Sequence, residues 1–439
     1  MKKIIYIFFF LSGLYSSMLE LHGTGIRYNN INAMGLGLGE STFFSDNLKS
    51  VSLSSIATYW KSNLTRISFS NQFSHNFSEY PDNDIRISSF SFTFPTSSYN
   101  AVSFGLSPYT RADIDLQETD GYFIGSGISD FADVINLRSD YKIRGGISSA
   151  YFVFSTKINN SFSLGFKIDR LFGNQFHTKK TFISSFDSFA ESEFQYSQQD
   201  STYKIVFNEF SGYKVQMDWL IDLSKHQIAF SAASMGPMDV NHRVFINEYT
   251  SSNPYQPGNT FLHVDSGDDL LQRDPDYSTY IQDDINTNSF LDNIFNRLDD
   301  YSIGYHYYTG KFGMLLEYKK NDLFNNPSLS SINLFNYNKP STISYNMGLY
   351  KKYLNKKNAF WDVICLRIGG YYKELLFVNS KGADTAITMG FGIDKDSNLI
   401  DFGVKFGKLN IGEFQDENYI DAILSIEVGN RWFENSRSK

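Results

Sequence analysis

Long stretches of this chain alternate between apolar and polar residues with a period of two. In Tyr213-Lys214-Val215-Gln216-Met217-Asp218-Trp219-Leu220-Ile221-Asp222, Tyr, Val, Met, Trp and Ile fall on one side, and Lys, Gln, Asp, Leu and Asp on the other. Phe162, Leu164, Phe166 and Ile168 alternate in the same way with Ser163, Gly165, Lys167 and Asp169. Further on, Phe402, Val404 and Phe406 face away from Asp401, Gly403, Lys405 and Gly407. Successive side chains of a strand point to opposite faces, so a period of two predicts strands. A soluble sandwich would alternate too, so the pattern alone leaves two architectures open.

The connections separate them. Candidate strands fall at 64–75, 84–95, 100–107, 149–158, 161–172, 202–222, 226–234, 300–309, 311–320, 342–350, 360–372, 386–394, 399–407 and 418–428, fourteen in all. Short links alternate with long ones such as Ser107 to Ser148, Gly173 to Ser201 and Met235 to Asp299. Short turns at one end and long loops at the other are the mark of outer-membrane barrels. Composition agrees: 41 Phe, 29 Tyr and 4 Trp are dispersed in a chain that is only 41 % apolar, as a wall between lipid and water requires. No apolar run reaches the ~18 residues of a spanning helix. The sequence therefore predicts an all-β, 14-stranded antiparallel transmembrane β-barrel with an N-terminal plug segment and long extracellular loops.

Met1-Lys2-Lys3 followed by the apolar run Ile4–Leu11 reads as a signal peptide, which gives export and the bacterial outer membrane as the location. The expected divisions are a signal peptide at 1–18, a plug segment at 19–60, the barrel at 61–433 and a short tail at 434–439.

Charge excludes some functions. The net charge of −8 argues against nucleic acid, and a single cysteine, Cys365, rules out a disulfide framework and a Cys-based zinc site. Residues 235–299 hold eleven acidic groups, among them Asp265, Asp268, Asp269, Asp274, Asp276, Asp283 and Asp284, against three arginines. Clustered carboxylates suit hard cations, but Asp265-Ser266-Gly267-Asp268-Asp269 lacks the EF-hand spacing, so a solvated outer loop is expected and no metal site. Seven scattered histidines without His-Glu-Xaa-Xaa-His, and no Gly-Xaa-Ser-Xaa-Gly, give no enzyme's parts. His306, between Tyr305 and Tyr307, reads as a polar wall residue.

Opposite the apolar rows, Lys167, Asp169, Lys214, Asp218 and Glu317 are expected to face the lumen. So are Lys319, Arg367, Asp401, Lys405 and Asp421. Their mixed signs suit ion pairs between wall positions better than a path selective for one charge. Trp60, Trp219, Trp361 and Trp432 fall near strand ends on the turn side, where a periplasmic girdle belongs.

Before the first strand lie Gly23-Thr24-Gly25-Ile26-Arg27-Tyr28 and Ala33-Met34-Gly35-Leu36-Gly37-Leu38-Gly39, neither strand-like. The glycines lack the βαβ context of a dinucleotide site, and no cofactor is expected. Their freedom suits a turn, at Met34, Gly35, Gly37 and Gly39, where the segment folds into the barrel mouth. These stretches, with Phe104-Gly105-Leu106-Ser107-Pro108-Tyr109, Arg144-Gly145-Gly146-Ile147-Ser148-Ser149-Ala150-Tyr151 and Leu171-Phe172-Gly173, resemble the long-chain fatty-acid transporter type of outer-membrane protein (FadL-like) and its PorV-like relatives in secretion. The FadL-like resemblance implies passage of a hydrophobic, fatty-acid-like ligand: capture by outer loops, an apolar pocket inside, and release by a shift of the N-terminal segment. The PorV-like alternative implies a component that binds or shuttles secreted proteins. A structural barrel without cargo is the third reading. Outer-membrane lipid is a partner in every case.

Overall fold

The structure, a computed structural model, describes residues 26–27, 32–43, 55–77, 82–125, 132–186, 196–236, 239–249, 280–281, 300–321, 341–354, 361–376, 381–395, 398–410 and 416–430. Within these, fourteen strands close into one antiparallel barrel: β1 (Thr65–Asn76), β2 (Asp82–Pro95), β3 (Asn100–Gly125), β4 (Ala132–Lys157), β5 (Phe162–Phe186), β6 (Tyr196–Leu223), β7 (His226–Met235), β8 (Asp300–Tyr308), β9 (Phe312–Asn321), β10 (Ser341–Leu354), β11 (Val363–Leu376), β12 (Lys381–Lys395), β13 (Asn398–Asn410) and β14 (Glu417–Asn430). Each pairs with its successor. β14 returns to β1, from Tyr419↔Asn76 to Asn430↔Thr65. The long excursion after β7 leaves the wall intact, since β8 pairs directly with β7 from Asp300↔Ala233 to Tyr307↔His226.

Burial is inverted relative to a soluble protein. On β13, Phe402 and Phe406 are 41 % and 51 % exposed, while Asp401 and Lys405 are 1 % and 8 % exposed. Turning phenyl rings out and charges in is stable only where hydrocarbon surrounds the wall. The alternating rows are therefore a lipid-facing belt outside and a polar lining inside.

Two expectations are corrected. The stretches Ser107 to Ser148 and Gly173 to Ser201 are largely strand rather than loop: β3 to β6 run for 25 to 28 residues, and β3 stays paired with β4 out to Gly125↔Ala132. Above the hydrocarbon no apolar row is needed, so the alternation lapses while the backbone ladder continues. Cross-strand pairs such as Lys142–Asp115 (2.7 Å) occupy the outer face there instead. Second, Ile26–Arg27 forms a short strand on β3, and Ala33–Gly37 forms a short helix, α1, where a turn was expected. The other extra strands are Asp239–Tyr249, which pairs with the upper part of β6, and Tyr280–Ile281, which pairs with it. The acidic residues Asp265 to Asp284 and the signal-peptide region lie outside the described residues, as does Trp432.

The wall bends along one row. β3 carries a bulge between Pro108 and Thr110, as suits a residue with no N–H to give. In the facing β4, Gly145 has φ +112°, and a Cβ there would meet the Asn174 carbonyl oxygen at 2.3 Å, so no side chain fits. The bend separates β3 from β2. Their pairing runs only from Pro95↔Ala101 to Phe90↔Leu106, although both strands continue upward. Ile26–Arg27 occupies the freed edge of β3, through Ile26↔Arg111 and Arg27↔Thr110.

Candidate functional site

The lower lumen is filled by the N-terminal segment, and the wall's polar side chains supply the hydrogen bonds its irregular backbone lacks. Asn32 caps α1 by accepting from Gly35 N–H at 2.9 Å. Ala33 N–H donates to Ser425 Oγ (2.9 Å) and Gly39 N–H to Thr388 Oγ1 (2.9 Å). Asn346 Nδ2 donates to the Gly39 carbonyl (2.8 Å), and Thr42 gives its N–H (2.8 Å) and hydroxyl to Glu317. On the other wall the 3-10 helix Ile56–Lys61 gives Ile56 N–H to Asp218 (3.0 Å) and Trp60 N–H to Ser155 (3.2 Å).

Apolar contacts fix the same segment. Met34 and Leu38 bury against Leu315, Tyr350, Cys365 and Leu399, and Ile56 and Tyr59 against Ala101, Tyr151 and Val153. Gly37 crosses Gly390 so closely that a Cβ on Gly37 would lie 2.7 Å from the Gly390 Cα. Gly39 turns the chain away from the helix with φ +74°. Burial pushes the Tyr59 hydroxyl well up, and lowers the Lys61 ammonium despite its ion pair with Asp222 at 3.3 Å. Trp60 belongs to this inner segment rather than to a lipid girdle, with the Lys157 and Lys61 ammoniums 5.2 and 5.8 Å from its ring. Trp219 does face outward, beside Phe230 at 5.2 Å, and Trp361 lies exposed just before β11.

All ten charged positions singled out in the sequence lie on barrel strands, and nine are buried; Lys319 is partly buried. Lys167 pairs with Asp169 (2.9 Å), Arg367 with Asp401 (2.6 Å) and Lys405 with Asp421 (2.8 Å). Lys214 instead reaches Asp300 (2.9 Å), and Asp218 accepts from Ser231 (2.6 Å) and Gln216 (2.9 Å). Glu317 and Lys319 lie 3.4 Å apart.

Periodicity missed the residue at the centre of this network, Glu40, because it lies outside any strand. Its carboxylate takes Lys405 (2.8 Å) and Lys373 (3.7 Å), and its carbonyl takes Lys319 Nζ (2.5 Å). Lys373 was legible, since it continues the inward series of Arg367 by steps of two. His306 sits in the wall between Gln227 Oε1 (3.0 Å) and Tyr350 Oη (3.1 Å).

One stability prediction arises here. Asp401→Leu alone strands the Arg367 guanidinium in the interior and is expected to cost about 3–5 kcal/mol, read as a lower midpoint for heat-induced loss of barrel mobility on a gel. Arg367→Met with Asp401→Leu should recover most of that loss. A double variant no better than the single one would refute the account.

Above the bend the lining changes character. Ile143 and Ile147 on β4, Leu171 on β5, Val206 and Phe210 on β6, and Met235 on β7 are buried, and Tyr109 reaches the Met235 sulfur at 3.9 Å. Gln175 and Asn208 lie in the same rows, and the Gln175 Nε2 is buried without a hydrogen-bond acceptor among the described residues. Apart from Leu171, Val206 and Phe210, these apolar residues fall in stretches expected to be loop. An inside and an outside could be given to them only once the strands were seen to continue.

Among solved structures, the chain is similar to the CymD monoaromatic hydrocarbon channel, with 11 % identity, TM-score 0.53, and 91 % of this chain and 97 % of that one covered. It is similar also to a Pseudomonas aeruginosa FadL homologue, with 10 % identity, TM-score 0.50, and 94 % and 100 % covered. At such identities the likeness is one of fold, and it is the fold of an outer-membrane barrel. Neither match supports the PorV-like alternative or a secreted-protein partner. No curated protein matches the sequence. A family model described as BamG matches residues 21–256. With more than half of its length matched by that model, the chain belongs to the BamG family.

Proposed function

We propose that the protein is an outer-membrane channel for hydrophobic small molecules. The observation that supports this reading is the apolar lining above the bend, from Ile147 to Met235, beside the place where β2 and β3 part. A hydrophobic solute held in the upper lumen meets an aqueous barrier below, where the N-terminal segment and its ion pairs fill the barrel. The parting of β2 from β3 offers a route sideways into the membrane instead. Ile26–Arg27, paired to the β3 edge of that parting, is the element whose displacement widens it. The Gln175 amide within the apolar lining favours a ligand with one polar end, so a fatty-acid-like solute suits the site better than a bare hydrocarbon. In this reading residues 1–18 direct export, residues 19–60 act as the plug, and Asp218, Glu317, Lys319 and Lys405, among the ten charged wall positions, hold it. No catalytic step or cofactor is invoked.

Arg27 and Thr110 are register partners, so Arg27→Cys with Thr110→Cys ties the N-terminal strand to β3 by a disulfide. Uptake of labelled oleate by cells carrying the oxidised pair should fall to the level of cells without the protein, and reductant should restore it. Equal uptake in the oxidised and reduced states would rule out this gate.

A further inference from the structure

The lipid-facing wall carries a groove of about 560 Å³ immediately below the point where β2 and β3 part. Phe90 and Phe92 of β2, Phe104 and Leu106 of β3, Phe152 of β4 and Ile168 of β5 line it. The Phe104 ring lies 6.2 Å from Phe92 and 6.3 Å from Phe152, both near parallel, so the floor is a cross-strand aromatic ladder. The groove is shallow and lies open to the surrounding lipid.

Arg170 of β5 closes the upper end of the groove. Its Nη2 donates to Ser211 Oγ at 2.7 Å, and its guanidinium lies 4.4 Å from the centre of the Tyr213 ring. Among the described residues it has no carboxylate partner. The cations higher on the same outer face do: Arg138 pairs with Asp140 (3.1 Å), Lys142 with Asp115 (2.7 Å) and Arg144 with Asp113 (3.7 Å). Arg170 stands eight residues above Phe162, the first residue of β5. At ~3.3 Å per residue and a tilt near 40°, that height is about 20 Å, close to the top of a hydrocarbon belt of about 25 Å. Beyond it the outward positions are mixed: Ser148, Asn174 and Glu209 are exposed, with Phe172 and Phe176 of β5 among them. A planar, permanently charged donor at headgroup depth matches a phosphate, and the aromatic trough beneath it matches an acyl chain.

We infer that this groove is a binding site for a phosphorylated, acylated glycolipid of the outer leaflet, of the lipid A type, with one acyl chain in the Phe90–Phe104–Phe152 trough and a phosphate on Arg170. The lipid would seal the membrane side of the wall just below the break.

The test is native mass spectrometry of the full-length protein extracted in mild detergent, then of delipidated protein offered lipid A or phosphatidylethanolamine. Wild type should retain lipid A and not phosphatidylethanolamine. Arg170→Gln should lower lipid A occupancy about tenfold or more, the loss expected for one charge-assisted contact. Arg144→Gln should leave it unchanged. Ala150→Trp fills the groove with Arg170 intact and should also displace the lipid, which keeps the test decisive if Arg170→Gln fails to assemble. Three results would overturn the assignment: no lipid A on wild type, equal retention by both groove variants, or retention of phosphatidylethanolamine as strong as that of lipid A.

Discussion

Glu40→Gln loosens the N-terminal segment from the barrel wall and weakens the pH dependence of its seating. Glu40 brings the segment's carboxylate to Lys405 and Lys373 while its carbonyl binds Lys319, so one residue ties the segment to β13, β11 and β9. Burial alone would push its carboxyl up. The ammoniums of Lys405, Lys373 and Lys319 outweigh burial and hold it well below the usual carboxylate range. Glutamine keeps the shape and removes the charge. Lys405 and Lys373 retain Asp421 and Asp384, so the expected cost is about 3 kcal/mol, at the low end for breaking a buried pair. A carboxyl lowered in the folded state contributes stability that is fully present above its unfolded value, near ~4.3, and is lost as pH falls towards its folded value. Wild-type seating should therefore hold from neutral pH down to about 5 and weaken progressively below about 4. Protease protection of residues 32–43 and leakage of small sugars from reconstituted liposomes both report it. A variant as protected as wild type at pH 7, or one that still loses protection between pH 4 and 3 as wild type does, would refute the role given to Glu40.

Gly390→Leu has the second large effect, and it separates the segment from the barrel. A Cβ on Gly390 lies 3.0 Å from the Gly37 Cα, so alanine asks α1 to give slightly and leucine leaves it no room. Expelling α1 also exposes the seats of Met34 and Leu38 on β9 to β13. Overpacking of this kind costs about 3 kcal/mol or more. Residue 390 lies within the β11–β12–β13 ladder, and that ladder does not depend on α1. The heat-modifiability midpoint should therefore move little while protection of the segment collapses. Gly310→Ala, where a Cβ meets nothing within 4 Å, is the neutral control. A leucine variant with an intact, protected segment would mean that the glycine crossing is not what seats the helix.

The sequence by itself determined the strands of the membrane belt and the sides they present. A period of two is a local property, written into Phe402, Val404 and Phe406 against Asp401 and Lys405, and lipid on one side enforces it residue by residue. The pairing of Lys405 with Asp421 follows from that register once β13 and β14 are aligned, whereas Arg367 reaches Asp401 across β12, over Gly392. Tertiary structure decided the rest. The upper halves of β3 to β5 have no apolar row to announce them, because above the hydrocarbon their ladders rest on partner strands. Helix α1, five residues with two glycines, has little propensity of its own and exists because Asn32 caps it and the wall covers it. Glu40 is one acid among many in the sequence. It becomes a latch only because closure of the barrel brings three lysines, from strands far apart in the chain, around a segment that reaches the lumen from outside the wall.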